Sequence, residues 1–231
     1  MTKDVGVIVV AAGKGERLGA KLEKPYVRLG DRPLLCHCLG VFQPSRVVGE
    51  IVLVVHPKRV EDCREGLLRK FSFPKVRIVV AGGQSRQESV ARGLAALAPQ
   101  TRIVVVHDAA RPFVSHAMLV RVVRWAKRGF GATVGIPVAQ TIKKISADRL
   151  VLETPPRELL WEIQTPQAFP RPLIERAHKV ARRTKAHATD DAGLVERVGG
   201  KVKVILGSPR NLKITNREDL LLAQLLLRQA G

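Results

Sequence analysis

The chain has 231 residues, 45% of them hydrophobic and 26% charged, a balance that fits one folded domain and excludes an intrinsically disordered chain. Forty Lys and Arg against twenty Asp and Glu leave a formal net charge of +20, which points to an anionic partner: a polyanion, a phosphorylated small molecule or an anionic membrane surface. No apolar run approaches the roughly 18 residues of a spanning helix, and the opening MTKDVGVIVV meets glycine too soon for a signal peptide, so a cytoplasmic protein without a membrane partner is expected.

Short Val- and Ile-rich runs alternate with amphipathic stretches along the whole chain, which predicts an α/β fold with a mainly parallel sheet covered by helices. Strands are expected at Gly6 to Ala11, Ile51 to His56, Arg77 to Ala81, Arg102 to His107, Gly131 to Pro137 and Lys201 to Leu206, and their lack of strict alternation suits strands covered on both faces. Helices are expected at Pro33 to Phe42, Arg59 to Lys70, Glu88 to Leu97, Ala117 to Arg128, Arg171 to Thr184, Ala192 to Val198 and Asn216 to Gln229. Cys36, Cys38 and Cys63 are too few for a disulfide framework and lack zinc spacing, and they are expected as small buried residues. Nothing divides the chain, which reads as a single domain over residues 1–231.

The first strand runs directly into AAGKGERLG, residues 11–19, a glycine-rich loop at a strand's carboxyl end, where ligands of open α/β sheets bind. Glycine lets the backbone approach an anion closely, and Arg17 and Lys24 add two cations within reach of a bound phosphate. The loop has neither the Gly-Lys-Ser/Thr of a P-loop nor the spacing of the dinucleotide fingerprint, and a tight turn with solvated charges is the alternative. A second glycine pair, Gly82-Gly83, precedes Gln84, Ser85, Arg86 and Ser89, where either serine could instead be a helix cap. A third strand ends in VHDAARPF, with Asp108 beside Arg111. One carboxylate there suits Mg²⁺ shared with substrate phosphates, although taken by itself the residue reads first as a cap on the following turn.

Residues 138–161 break the rhythm. QTIKKISADRLVLETPPRELLW reads as two short strands around a polar turn at Ala147 to Arg149, a β-hairpin arm. An isolated hairpin is marginally stable in water, so the arm packs either on a second copy of the chain or back on its own sheet.

In this order the motifs resemble those of the 2-C-methyl-D-erythritol 4-phosphate cytidylyltransferases of the non-mevalonate isoprenoid pathway. AAGKGERLG, Lys24, GGQSRQESV, HDAARPF, QTIKK, RELLWEIQTPQAF, ATDDAG and GSPRNLKIT each have a counterpart there, and the match spans nearly the whole chain. The resemblance implies a three-layer, Rossmann-like sheet of the glycosyltransferase-A-like nucleotidyltransferase type. It implies an enzyme that joins CTP to a sugar-alcohol phosphate and releases pyrophosphate, with a divalent cation such as Mg²⁺ as cofactor. Arg17 and Lys24 match residues that stabilise the transition state. Arg157 and Lys213 match those that hold the sugar phosphate for attack, with Thr141 and Thr165 beside them. Asp108 matches the metal ligand, and Ala11, Ala12, Gly13, Gly83, Gln84, Ser89 and Ala109 match the nucleotide-binding positions. The arm implies a homodimer, with Arg157 and Thr165 acting across it.

Three positions depart from the family pattern: Lys24 precedes Pro25, Gln84 stands for a frequent Asp, and Gln140 stands for the Asp before Thr141. Thr189, Asp190 and Asp191 read as an N-cap threonine followed by two acids in a first helical turn. Arg86 and Arg111 are either phosphate-facing or structural. A ribitol 5-phosphate cytidylyltransferase shares several motifs, but Arg157 with Trp161 favours methylerythritol phosphate. A basic nucleic-acid binder is the rival from another class; with aromatics at 4% and no recognition motif, no specific nucleic acid partner is expected.

Overall fold

The computed structural model describes residues 4–13 and 26–229. Eleven strands and seven α-helices follow in chain order among the described residues. They run β1 (Val5–Ala11), the ribbon β2 (Arg28–Leu29) and β3 (Arg32–Pro33), α1 (Leu34–Phe42), β4 (Glu50–Val55), α2 (Arg69–Phe71), β5 (Val76–Ala81), α3 (Arg86–Ala96), β6 (Ile103–Asp108), α4 (His116–Ala126) and β7 (Gly131–Pro137). Then come β8 (Lys144–Ile145), β9 (Val151–Glu153), β10 (Trp161–Pro170), α5 (Arg171–Thr184), α6 (Asp191–Arg197), β11 (Val202–Leu206) and α7 (Arg217–Arg228). Seven strands form one sheet in the order β11-β7-β10-β6-β1-β4-β5, parallel except for β10, which runs antiparallel to both neighbours.

Alternation sorts each central strand between two cores. Val5, Val7 and Val9 of β1 join Ile51, Leu53 and Val105 under α1 and α4, while Ile8 joins Val52, Val54, Val104 and Val106 under α3, α5 and α6. With side chains pointing alternately to opposite faces, strands covered on both sides must be apolar throughout, which is why they read as unbroken Val and Ile runs. Cys36, Cys38 and Cys63 are buried in the first of these cores.

Two elements depart from the sequence expectation. The expected helix from Arg59 to Lys70 is a 3₁₀ turn at Pro57–Arg59, a π-helical segment at Asp62–Leu68 around Gly66, and the short α2. The larger departure is β10, where no strand was expected because Gln164, Thr165, Pro166 and Gln167 interrupt it. Proline is confined to edges and bulges of sheets, and here it sits at a bulge between Gln164 and Gln167, after a cis Thr165-Pro166 peptide. The buried polar side chains are satisfied locally: Gln167 Nε2 donates to Thr133 Oγ1 at 3.0 Å, and Gln164 Nε2 donates to the Ser208 carbonyl at 3.0 Å.

The arm does not fold back on its own sheet. β8 and β9 pair only with each other in a separate two-stranded ribbon, leaving Ile145, Val151 and Leu152 more than half exposed. Among the described residues no helix is long and apolar enough to cross a membrane.

Candidate active site

The carboxyl ends of β1, β5 and β6 meet at one edge of the sheet. Ala11 is buried, Ala12 half-buried and Gly13 exposed, so β1 delivers its small residues from core to surface in three steps. Beside them the Gly82 N–H donates to the Val55 carbonyl at 2.7 Å, and a Cβ on Gly82 would collide with Ala12. Only glycine allows the two loops to approach so closely. Ser85 is the N-cap of α3, accepting from the Glu88 N–H at 3.1 Å, so the helix begins at Arg86 rather than Glu88. Buried Ser89 is not a cap: its hydroxyl donates to the Ser85 carbonyl at 2.9 Å and accepts the Gly83 N–H at 3.1 Å, fixing the Gly83-Gln84 turn. Arg17 and Lys24 lie outside the described residues.

Asp108 ends β6 and is nearly buried, and its carboxylate is held by two cations. Arg86 Nε lies 3.0 Å from Oδ1, and Lys213 Nζ lies 2.7 Å from Oδ2. The side chain caps no turn. Burial opposes its ionisation, yet Arg86 and then Lys213 outweigh that and hold its acidity well below the usual carboxylate range. Lys213 comes from 105 residues away because a polar staple brings its loop in. Fully buried Asn211 donates through Nδ2 to Gln164 Oε1 at 3.0 Å and to the Thr165 carbonyl at 2.9 Å. Arg111 Nη1 donates to the Asn211 carbonyl at 2.7 Å, and the Ile214 N–H donates to the Ala110 carbonyl at 2.9 Å.

Thr165 is buried behind Asp108 rather than open to solvent. A carbonyl only accepts, so the 3.1 Å contact of His107 Nε2 with the Arg111 carbonyl requires a proton on Nε2. Burial pushes the His107 pKa down to about 4, so the ring is neutral and its Nδ1 accepts from the Thr165 hydroxyl at 3.0 Å. That hydroxyl in turn accepts the Asp108 N–H at 3.1 Å. Thr165 thereby fixes the backbone on which Asp108 stands. Thr141 and Arg157 are exposed on the arm, and Arg157 Nη1 donates to the Ala139 carbonyl at 3.4 Å. Among the described residues no ion pair joins Arg157 to the Asp108 cluster.

The sequence reading of residues 189–191 is corrected. Asp190, not Thr189, is the N-cap of α6, accepting from the Gly193 N–H at 2.9 Å. Asp191 is no solvated first-turn acid: at 1% exposure it takes Arg86 Nη1 at 2.7 Å on Oδ2 and His178 Nε2 at 3.1 Å on Oδ1. Burial opposes its charge, but Arg86 and His178 keep its carboxyl below the ordinary range. Arg86, Asp191 and His178 are the site residues that the sequence left unassigned. The signal for Arg86 was its place in the GGQSRQES turn, whereas nothing local marked His178.

Arg86, Asp108, Arg111, Gln167, Asp190 and Lys213 are among the residues lining a cavity of about 430 Å³, with Asp191 and His178 behind Arg86 rather than on its wall. A larger cavity of about 530 Å³ lies between α3 and α5, and His178 lines it without Asp108 or Lys213. The site follows the converging charges rather than the larger volume.

A closely approached backbone loop, a cation-held carboxylate and a lysine, gathered at the carboxyl edge of a mainly parallel sheet, suit transfer chemistry at a nucleotide phosphate, and the fold and site are those of a nucleotidyltransferase. A family model described as 2-C-methyl-D-erythritol 4-phosphate cytidylyltransferase matches residues 5–229, and the chain belongs to that family. Enzymes of that name from Alkaliphilus metalliredigens and Pelotomaculum thermopropionicum are 43% and 44% identical, with 97% of this chain covered in each case and 93% and 94% of theirs. The crystal structure of 4-diphosphocytidyl-2C-methyl-D-erythritol synthase from Anaerococcus prevotii superposes with a TM-score of 0.87 at 32% identity, covering 97% of this chain and 96% of that one. The Thermus thermophilus cytidylyltransferase superposes at 0.77 with 35% identity, over 97% and 99%.

Proposed function

We propose that the protein transfers the cytidylyl group of CTP to 2-C-methyl-D-erythritol 4-phosphate by in-line attack. An oxygen of the sugar phosphate forms a bond to the α-phosphorus, the bond from that phosphorus to the β-phosphate bridging oxygen breaks, and pyrophosphate leaves with the electron pair. The observation that carries this reading is the Arg86-Asp108-Lys213 array at the end of β6, beside the end of β1 with which β6 pairs. A phosphate monoester has its second pKa at about 6, so the nucleophile is largely ionised at neutral pH and needs no general base. The site agrees: Asp108, Asp191 and neutral His107 are each engaged by protein partners.

Catalysis then rests on placing positive charge where negative charge develops. Arg17 and Lys24 serve the α-phosphate and the leaving pyrophosphate. Lys213, 40% exposed at its side chain, turns to the sugar phosphate, and Arg157 reaches it bidentately from the arm. Ala11, Ala12, Gly13, Gly83, Gln84, Ser89 and Ala109 form the nucleotide wall, and Thr141 closes the sugar end. Asp108 fits a Mg²⁺ site: its two oxygens have accepted one cation each, a carboxylate has further lone pairs, and Mg²⁺ commonly takes one or two carboxylates plus substrate phosphates. Held there, such an ion would supply charge neutralisation for the triphosphate. The exposed apolar face of the arm, including Ile145, Leu150, Val151 and Leu152, supports a homodimer in which Arg157 acts on the partner's site.

The test is pyrophosphate release, crossing four nucleotides with methylerythritol phosphate and ribitol 5-phosphate. Turnover confined to CTP with methylerythritol phosphate is expected, and efficient use of ribitol phosphate alone would overturn the substrate. Lys24→Ala should remove about 2.7–4 kcal/mol of transition-state stabilisation, the scale for losing one preorganised donor. Lys213→Ala should weaken use of the sugar phosphate more than binding of CTP.

A further inference from the structure

We infer that His178 is a positioning residue for the sugar-phosphate site, acting through Asp191 and Arg86 on Asp108 and Lys213; the inference rests on the function proposed above. The five side chains form one unbroken line. His178 Nε2 meets Asp191 Oδ1 at 3.1 Å, Asp191 Oδ2 meets Arg86 Nη1 at 2.7 Å, Arg86 Nε meets Asp108 Oδ1 at 3.0 Å, and Asp108 Oδ2 meets Lys213 Nζ at 2.7 Å. Side-chain exposure runs from 7% at His178 and 1% at Asp191 to 40% at Lys213, so the line leads from the core beneath α5 to the open cleft.

What His178 does follows from an unsatisfied donor. Arg86 Nη2 is buried without a hydrogen-bond partner, while Nη1 serves Asp191 and Nε serves Asp108. A guanidinium prefers to grip a carboxylate with two parallel N–H groups, which would satisfy Nη2 if Arg86 turned fully onto Asp191. His178 opposes that turn by holding Oδ1 towards the ring, so that the carboxylate meets Arg86 through Oδ2. A carboxylate only accepts, so the ring donates from Nε2, and Asp191 presents its other oxygen to Arg86. Arg86 is thereby kept on two carboxylates at once. Without the imidazole donor, a buried carboxylate oxygen stands unpaired, and Nη2 is an unused donor on the guanidinium already bound to the same carboxylate. As Arg86 turns onto Asp191, Nε leaves Asp108, and Asp108 binds Lys213 without a competing cation. Lys213 is then withheld from the incoming sugar phosphate, whereas the loops at Ala12 and Gly83 are untouched.

The test uses the full chain with His178→Leu, which removes the donor, and His178→Gln, whose amide nitrogen stands at the level of Nε2. Each is assayed below its melting transition for pyrophosphate release. His178→Leu should raise KM for the sugar phosphate about tenfold, the scale for losing one hydrogen bond to a charged group, with kcat and KM for CTP changed by less than about twofold. His178→Gln should recover most of that rise. In an Asp191→Asn background, His178→Leu should add no further effect on KM. A crystal structure of His178→Leu should show both Nη atoms of Arg86 on Asp191. The inference is overturned if wild type turns over and His178→Leu leaves KM for the sugar phosphate unchanged, or if kcat and both KM values shift together without rescue by Gln. Absence of wild-type turnover sinks the proposed function itself.

Discussion

Replacing Arg86 by Met keeps most of the side-chain length while removing the cation shared by two buried carboxylates. Asp191, at 1% exposure, would keep His178 alone, and Asp108, at 10%, would keep Lys213 alone. Removing one partner of a buried ion pair destabilises by about 3–5 kcal/mol, because the other charge is left uncompensated. Here each carboxylate retains one donor, so we expect the lower end, about 3 kcal/mol at neutral pH. For a domain of this length that lowers Tm by about 6–12 °C. Urea unfolding at about pH 7 and again at about pH 4.5 measures it. The sign of the pH effect is fixed: with Arg86 gone, the carboxyl of Asp191 rises in pKa towards or above its unfolded value. Protonation then relieves the buried charge, and the deficit relative to wild type shrinks as pH falls. A loss below about 1 kcal/mol, or a deficit that grows on acidification, would refute the view that Arg86 neutralises both carboxylates.

His107 should make the fold acid-sensitive: its pKa falls to about 4 in the folded state, so the unfolded chain binds the extra proton between about pH 6.5 and 4. Stability is full above that window and declines through it by about 3 kcal/mol, a loss that His107→Gln should largely abolish in urea titrations. Gly82→Ala should lose about 1–3 kcal/mol through the collision with Ala12 and weaken CTP binding in calorimetry, since the added Cβ forces the two loops apart. Burial pushes the Cys36 thiol up to about 12 and the Cys63 thiol up to about 11, so a disulfide reagent at neutral pH should label none of the three cysteines in the folded protein and all three in urea. Charging the arm with Ile145→Asp and Leu152→Asp should give a monomer in sedimentation, and wild type sedimenting as a monomer would remove the dimer from the proposed function.

The parallel strands were legible because strands buried on both faces are apolar throughout, and each expected strand lies within a residue of its observed ends. β10 was not legible for the opposite reason. Its centre, Gln164 to Gln167, is polar and carries a proline, and it is stable as a central strand only because Thr133, Ser208 and Asn211 supply partners from distant segments. The helical stretch at residues 59–70 misled because periodicity reports an apolar face and not the winding of the backbone.

The sequence by itself determined what kinds of side chain the site holds and their order along the chain. Its glycine loops, Asp108, and the basic residues Arg17, Lys24, Arg157 and Lys213 name an anionic substrate, and the excess charge gives its sign. Only the tertiary structure decided which of these meet. It brought Lys213 onto Asp108 from 105 residues away and turned Asp191 inward from an ordinary capping pattern. It also joined Arg86 and His178 to the site. Local motifs record backbone requirements that neighbouring residues share, whereas an ion pair between distant segments exists only once the sheet has set its strand ends side by side. For that reason the turn around Arg86 marked that residue locally, whereas its pairing with Asp191 and His178 left no local signature.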